Sequence, residues 1–202
     1  MAAADRVFRT KGIDTTTVTD ITEEADVAYG SFYNHFKTMD DIVAAIAEGT
    51  IKRAADKTGE IREYAETVEL LPSIGARVVM RMLSQDPAVR WLLDRPNIFV
   101  DEFYKMAREF MYDAEQAAVL DGRLKPAGGH DSWLRIIPWV MVSELKAAVE
   151  TENHAEHEEI FARVSMRFMG IPDDKVEALL DRSMELCRKH GLPAIKVSSR
   201  KR

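Results

Sequence analysis

The sequence predicts an all-α protein, with a small N-terminal three-helix unit ahead of a larger C-terminal helical bundle. Three observations predict it. Apolar residues recur at helical spacing along most of the chain, while strand-type alternation is nearly absent. Short punctuation at Gly12, Pro72, Pro87, Pro96, Gly122, Pro126-Ala127-Gly128-Gly129, Gly170-Ile171-Pro172 and Gly191-Leu192-Pro193 separates these segments. Threonines stand where helices should begin, at Thr17, with Asp20 three residues on, and at Thr38.

The first helix is expected over residues 2–11, stopped by Gly12, which suits a helix C-terminus. The second covers about 18–25, capped by Thr17 with Asp20 near the partner position. A tight turn at Asp26-Val27 leads to a short third helix over about 28–34. The fourth starts after Thr38, with Asp40 and Asp41 in the first turn where the helix dipole favours them, and is expected to end near Gly59. Longer segments follow at about 61–70, 73–85, 87–94, 97–121, 130–152, 155–169 and 173–190. Pro138 lies inside one of them and should kink it. The glycine-containing loop at 126–129 is expected to be mobile, and the basic tail from 193 to 202 to be disordered.

The 202 residues are 46% hydrophobic, enough for a sizeable core. Cys187 is the single cysteine, so an intrachain disulfide and a four-cysteine zinc site are excluded. No secretory signal is seen at the start, and the longest apolar run, 136–142, is too short to span a membrane. A cytoplasmic protein with no membrane partner is the expectation. The net charge is −6, and residues 1–53 hold six basic against nine acidic side chains. No basic block marks a nucleic-acid surface. DNA contacts would have to come from a few placed residues and helix N-termini.

Two short helices joined by a tight turn form the helix-turn-helix pattern. Val18, Ile21, Ala25, Val27 and Phe32 can hold the pair together. The second helix then offers Ala28, Tyr29, Gly30, Ser31 and Asn34, a small and polar face suited to the major groove. Gly30 permits close backbone approach, and the Ser31 and Tyr33 hydroxyls can donate to phosphates.

The residues Thr17-Val18-x-Asp20-Ile21, followed by Ala25-Asp26-Val27-Ala28-Tyr29-Gly30-Ser31-Phe32-Tyr33-Asn34-His35-Phe36-Lys37, resemble the signature of the tetracycline-repressor (TetR) family. The resemblance covers about residues 2–48. It implies a DNA-binding domain over 1–48 and a ligand-binding and dimerisation domain over 49–192. It also implies a homodimer on a near-palindromic double-stranded operator, with helices such as 130–152 and 155–169 forming the dimer interface. Thr17, Ser31, Tyr33, His35 and Lys37 would contact the DNA backbone, and Tyr29, Gly30 and Asn34 would face bases. His35 has the alternative of a plain exposed turn residue, and Phe36 that of a core residue. Asp26 stands where the family has a turn glycine, Ala28 where it has a capping Ser or Thr, and Met39 where lysine is common. The basic arm of the family has no counterpart ahead of the first helix. These departures motivate a second reading, a dimeric small-molecule-binding protein with weakened or lost DNA binding.

The C-terminal part is rich in methionine and aromatic residues, which suits a pocket for a hydrophobic or aromatic effector. Trp133, Ile137 and Met141, around Pro138, are the first candidates for its lining, with Met80, Phe103, Met106 and Phe110. His154, His157 and Glu158 form a face that could hold a metal, but a solvated helix start is the simpler reading. Cys187, beside Arg188 and His190, is either a thiol of lowered pKa or a passive helix residue. No nucleophile–base pair is found, so neither catalysis, cofactor nor metal is expected.

Overall fold

Each helix start that the sequence marks with a threonine is closed by a reciprocal cap. In the computed structural model, residues 1–110 and 113–194 are described, with side chains outside 109–114. The first three helices are α1 (Ala2–Lys11), α2 (Val18–Glu24) and α3 (Tyr29–Tyr33). Thr17 Oγ1 accepts from the Asp20 N–H at 3.2 Å, and the Asp20 carboxylate accepts from the Thr17 N–H at 2.7 Å. Thr38 and Asp41 do the same for α4 (Met39–Arg62), at 3.2 and 2.9 Å.

Then come α5 (Leu71–Ser84), α6 (Pro87–Leu92), α7 (Pro96–Phe110), α8 (Asp113–Leu120), α9 (His130–Thr151), α10 (His154–Phe168) and α11 (Asp173–Lys189). No strand occurs among the described residues. Among the same residues no helix is long and apolar enough to cross a membrane.

Four expectations are corrected. Gly59 does not end α4, which continues to Arg62; its buried Thr58 and Ile61 hold the last turns against the core. The boundary at 48 therefore falls inside one continuous helix. The segment 61–70 is no helix of its own but a turn leading to a short 3₁₀ stretch at Val68–Leu70. The loop at 126–129 is tied down rather than left free: the Lys125 N–H donates to the Met169 carbonyl and the Ala127 N–H to that of Phe168, both at 2.9 Å, while Leu124 is buried. Gly170 makes this clasp possible, with a φ of 77° and a backbone on which any Cβ would sit 2.6 Å from the Lys125 carbonyl oxygen. Residues 111 and 112, inside the expected 97–121 helix, and 195–202, nearly all of the basic tail, lie outside the described residues.

One continuous apolar core runs from Phe8, Ile21 and Phe32 of the small N-terminal unit through Ile46, Met80 and Leu92 to Leu145, Phe161 and Leu180. Helix α5 lies at its centre, packed on α4, α10, α9 and α11.

The fourth correction concerns Glu158, which is buried rather than solvated. It is 1% exposed and sits between two buried arginines of α5, Arg77 and Arg81. Arg81 donates through Nε and Nη2, the latter at 2.6 Å to Oε1, and Arg77 Nη1 reaches the same oxygen at 3.3 Å. Arg77 also donates to Ser183 Oγ at 3.0 Å and to the Leu180 carbonyl, and Arg81 to that of Pro193. This network joins α5, α10, α11 and the segment after α11. His157 turns elsewhere, with Nδ1 2.7 Å from Glu144 of α9. Cys187 is fully buried, and burial pushes its thiol up to about 11, so it packs as a small apolar residue and is no activated nucleophile.

Candidate DNA interface and effector cavity

The turn between α2 and α3 is built by local chemistry. The Val27 N–H donates to the Thr22 carbonyl at 3.0 Å and the Asp26 N–H to that of Glu23 at 3.1 Å. This paired closure requires a left-handed residue, and Asp26 takes it with φ 53°. Aspartate accepts that conformation at lower cost than most residues. Phe8, Ile21 and Phe32 then bury the inner faces of α1, α2 and α3 together.

The outer face stays open. Thr17, Ala28, Tyr29, Gly30, Tyr33, Asn34, His35 and Lys37 are all exposed, and Ser31 is half-buried. Tyr29 and Tyr33 lie one turn apart, hydroxyl to hydroxyl at 3.1 Å with rings edge to face. Their mutual hydrogen bond raises the Tyr33 pKa above the ordinary phenol value. A Cβ built on Gly30 would meet nothing within 4 Å, so the folded chain itself does not require glycine there.

Helix N-termini contribute less than the sequence suggested. The carboxylates of Asp20 and Asp41 already accept from the Thr17 and Thr38 N–H groups at the starts of α2 and α4. Lys11 at 2.7 Å and the Thr17 cap hold the Asp20 carboxyl down at about 2, so it carries its full charge at neutral pH. The Thr17 hydroxyl also donates to Asp20 at 2.7 Å and is thus committed to the cap. Helix α3, by contrast, begins at Ala28 with no side-chain cap. Ala28→Ser is expected to raise stability by about 1 kcal/mol, read as a shift of the urea unfolding midpoint with unchanged slope.

Between α4, α5, α7, α8, α9 and α10 lies a cavity of about 110 Å³. Helix α4 lines it with Ile51, Ala55, Thr58 and Arg62, one face at three- and four-residue spacing. Of the residues singled out from sequence, Phe103, Met106, Trp133 and Ile137 lie on its wall. Met80 and Met141 do not: at 1% and 0% exposed they are packed inside the core. The Phe110 side chain lies outside those described. Sequence reasoning missed the polar part of the wall, Arg62 and Glu115, which pair at 2.6 Å while almost fully buried.

The cavity and the small N-terminal unit are physically joined. Besides α4, helix α6 packs on α1: Trp91 Nε1 donates to Asp5 at 3.0 Å and its ring lies 4.6 Å from that of Phe8. Ion pairs Arg95–Asp14 at 2.5 Å and Arg53–Asp86 at 2.6 Å flank that contact.

Residues 1–46 match the model of the bacterial regulatory proteins of the tetR family. The HTH-type transcriptional repressor KstR2 of Mycolicibacterium smegmatis is 28% identical over 152 residues, covering 69% of this chain and 74% of the relative. Among solved structures, RolR in complex with resorcinol superposes with a TM-score of 0.71 at 16% identity, over 96% of this chain and 93% of that one. A gamma-butyrolactone receptor described as ArpA-like gives 0.53 at 17% identity, over 93% and 94%. These likenesses establish the shared fold over nearly the whole chain. With the exposed face of α3 and the reciprocal caps of α2 and α4, the match over residues 1–46 gives the N-terminal unit the helix-turn-helix of the tetR-family bacterial regulatory proteins.

Proposed function

We propose that the protein is a homodimeric, cytoplasmic repressor that leaves a near-palindromic operator when a small, largely apolar molecule enters the cavity. The observation that carries this reading is α4, a single helix whose first half anchors the small N-terminal unit and whose second half walls the cavity. A ligand that favours one orientation of α4 shifts the population of DNA-competent dimers. KstR2 is named a repressor and RolR was solved with resorcinol, which supports repression and an aromatic effector. We assign Ser31, Tyr33, His35 and Lys37 to phosphates and Tyr29, Gly30 and Asn34 to base edges, with Thr17 placing the start of α2 beside the DNA backbone through its cap and Ala28 passing close to the duplex. The dimer forms through α9 and α10, which expose Ile136, Trp139 and Ile160. The ligand is bound and released unchanged.

The test is fluorescence polarisation on DNA from upstream of the gene, as a function of salt. Binding that weakens steeply with salt is expected; its absence at low salt overturns the reading. Gly30→Ala sharpens it. The variant should fold at least as stably, gaining up to about 1 kcal/mol of helix propensity, yet lose about tenfold or more in operator affinity because the methyl stands between backbone and duplex.

A second reading, a ligand-binding dimer with weak DNA affinity, is favoured by the uncapped α3 and by Asp20 and Asp41 at the flanking helix starts. The same salt titration separates the two.

A further inference from the structure

The cavity wall specifies more than apolarity. Arg62 and Glu115 pair at 2.6 Å with side chains only 9% and 5% exposed, and both line the cavity. Trp133 lines it too, and its buried indole N–H has no hydrogen-bond acceptor among the described residues. A buried donor left unpaired carries a desolvation cost that native structures almost always relieve. Apart from the hydroxyls of Thr58, which donates to the Ala54 carbonyl, and Ser165, the rest of the wall is hydrocarbon, from residues such as Ile51, Val79, Phe103 and Ile137.

We infer that the effector is an uncharged, single-ring compound with two oxygen functions, a hydroxyl for the Arg62–Glu115 pair and a second oxygen for the Trp133 N–H. The inference rests on the reading of this cavity as the effector site. The volume supports one ring: about 110 Å³ compares with the roughly 150 Å³ apolar cavity that holds benzene. Charge decides the rest. The ion pair is already balanced, so a carboxylate or an amine would bring net charge into a poorly solvated space, where the cost is steep. A hydroxyl adds none. Its O–H donates to the Glu115 carboxylate while its oxygen accepts from the Arg62 guanidinium, and both partners stay in place. The second oxygen relieves the indole N–H. A site with buried polar groups of this kind discriminates strongly against analogues that leave them unpaired.

The experiment is calorimetric titration of the full chain with benzene, phenol, the three dihydroxybenzenes and benzoate. Phenol is expected to bind at least tenfold more tightly than benzene, the best dihydroxybenzene more tightly again, and benzoate below detection. Glu115→Gln removes the negative partner and should reverse the order, so that benzoate binds more tightly than phenol. Trp133→Phe keeps the ring and should cancel the advantage of the dihydroxybenzene over phenol. Should Glu115→Gln fail to fold, as judged by circular dichroism, the wild-type ranking and Trp133→Phe carry the test. Benzoate matching phenol in the wild type, or benzene matching both, overturns the inference while leaving the cavity as a binding site. Failure of every ring compound to bind removes the cavity reading itself.

Discussion

Glu158→Ala is expected to lose about 3–5 kcal/mol of folding stability, because it strips the shared partner from two buried guanidinium groups. Arg77 and Arg81 are 2% and 6% exposed; Arg77 keeps its 2.6 Å contact with Glu159, while Arg81 loses the carboxylate it pairs with. At fixed protein concentration this corresponds to a fall of roughly 6–20 °C in Tm. The loss should reach α5, α10 and α11 together, since the network ties all three. Glu150 supplies the control. Its pairing with Lys146 spans 4.0 Å between side chains 63% and 65% exposed, so Glu150→Ala should change stability by about 0.5 kcal/mol or less. Chemical denaturation of the two variants side by side checks the argument. A loss near 1 kcal/mol for Glu158→Ala would mean that the arginines find other partners.

Ile136→Glu combined with Trp139→Glu is expected to give a folded monomer that has lost most of its operator affinity. Both residues lie on the outer face of α9, 44% and 47% exposed, so the change leaves the core intact. Two half-sites held on one rigid dimer bind with an effective-concentration advantage of about 10²–10⁴. The variant should forfeit that factor on the full operator while binding an isolated half-site as the wild type does. Sedimentation reads the mass and polarisation the affinity. A variant that remains dimeric would place the interface elsewhere; equal loss on the half-site would point to damage in the small N-terminal unit instead.

The sequence announces those features that local chemistry decides. Thr17 with Asp20 and Thr38 with Asp41 mark their helix starts because the cap bonds lie within four residues of each other. Asp26 is legible as a turn residue for the same reason. Burial of polar side chains is set by neighbours far along the chain, and there the reading fails. Glu158 follows two histidines and resembles a wet helix end, yet its partners come from 77 and 81 residues earlier. Arg62 lies beyond the helix end that the sequence suggests. Ending α4 at Gly59 breaks the row Ile51, Ala55, Thr58, Arg62, which is visible only when the helix continues. Met80 and Met141 show the converse limit: apolar spacing identifies an inward face but does not say whether a void or a neighbour's methyl group lies opposite.

The uninterrupted course of α4 has a mechanical consequence. Its 24 residues form a rod of about 36 Å. Arg62 rides one end and the Thr38 cap the other. Pivoted near its cavity end, such a rod turns a tilt of about 5°, small enough for packed side chains to absorb, into about 3 Å of travel at the far tip. That is close to the rise of one base pair, so in the proposed mechanism a molecule no larger than a single ring would have leverage over which register of the duplex the protein grips.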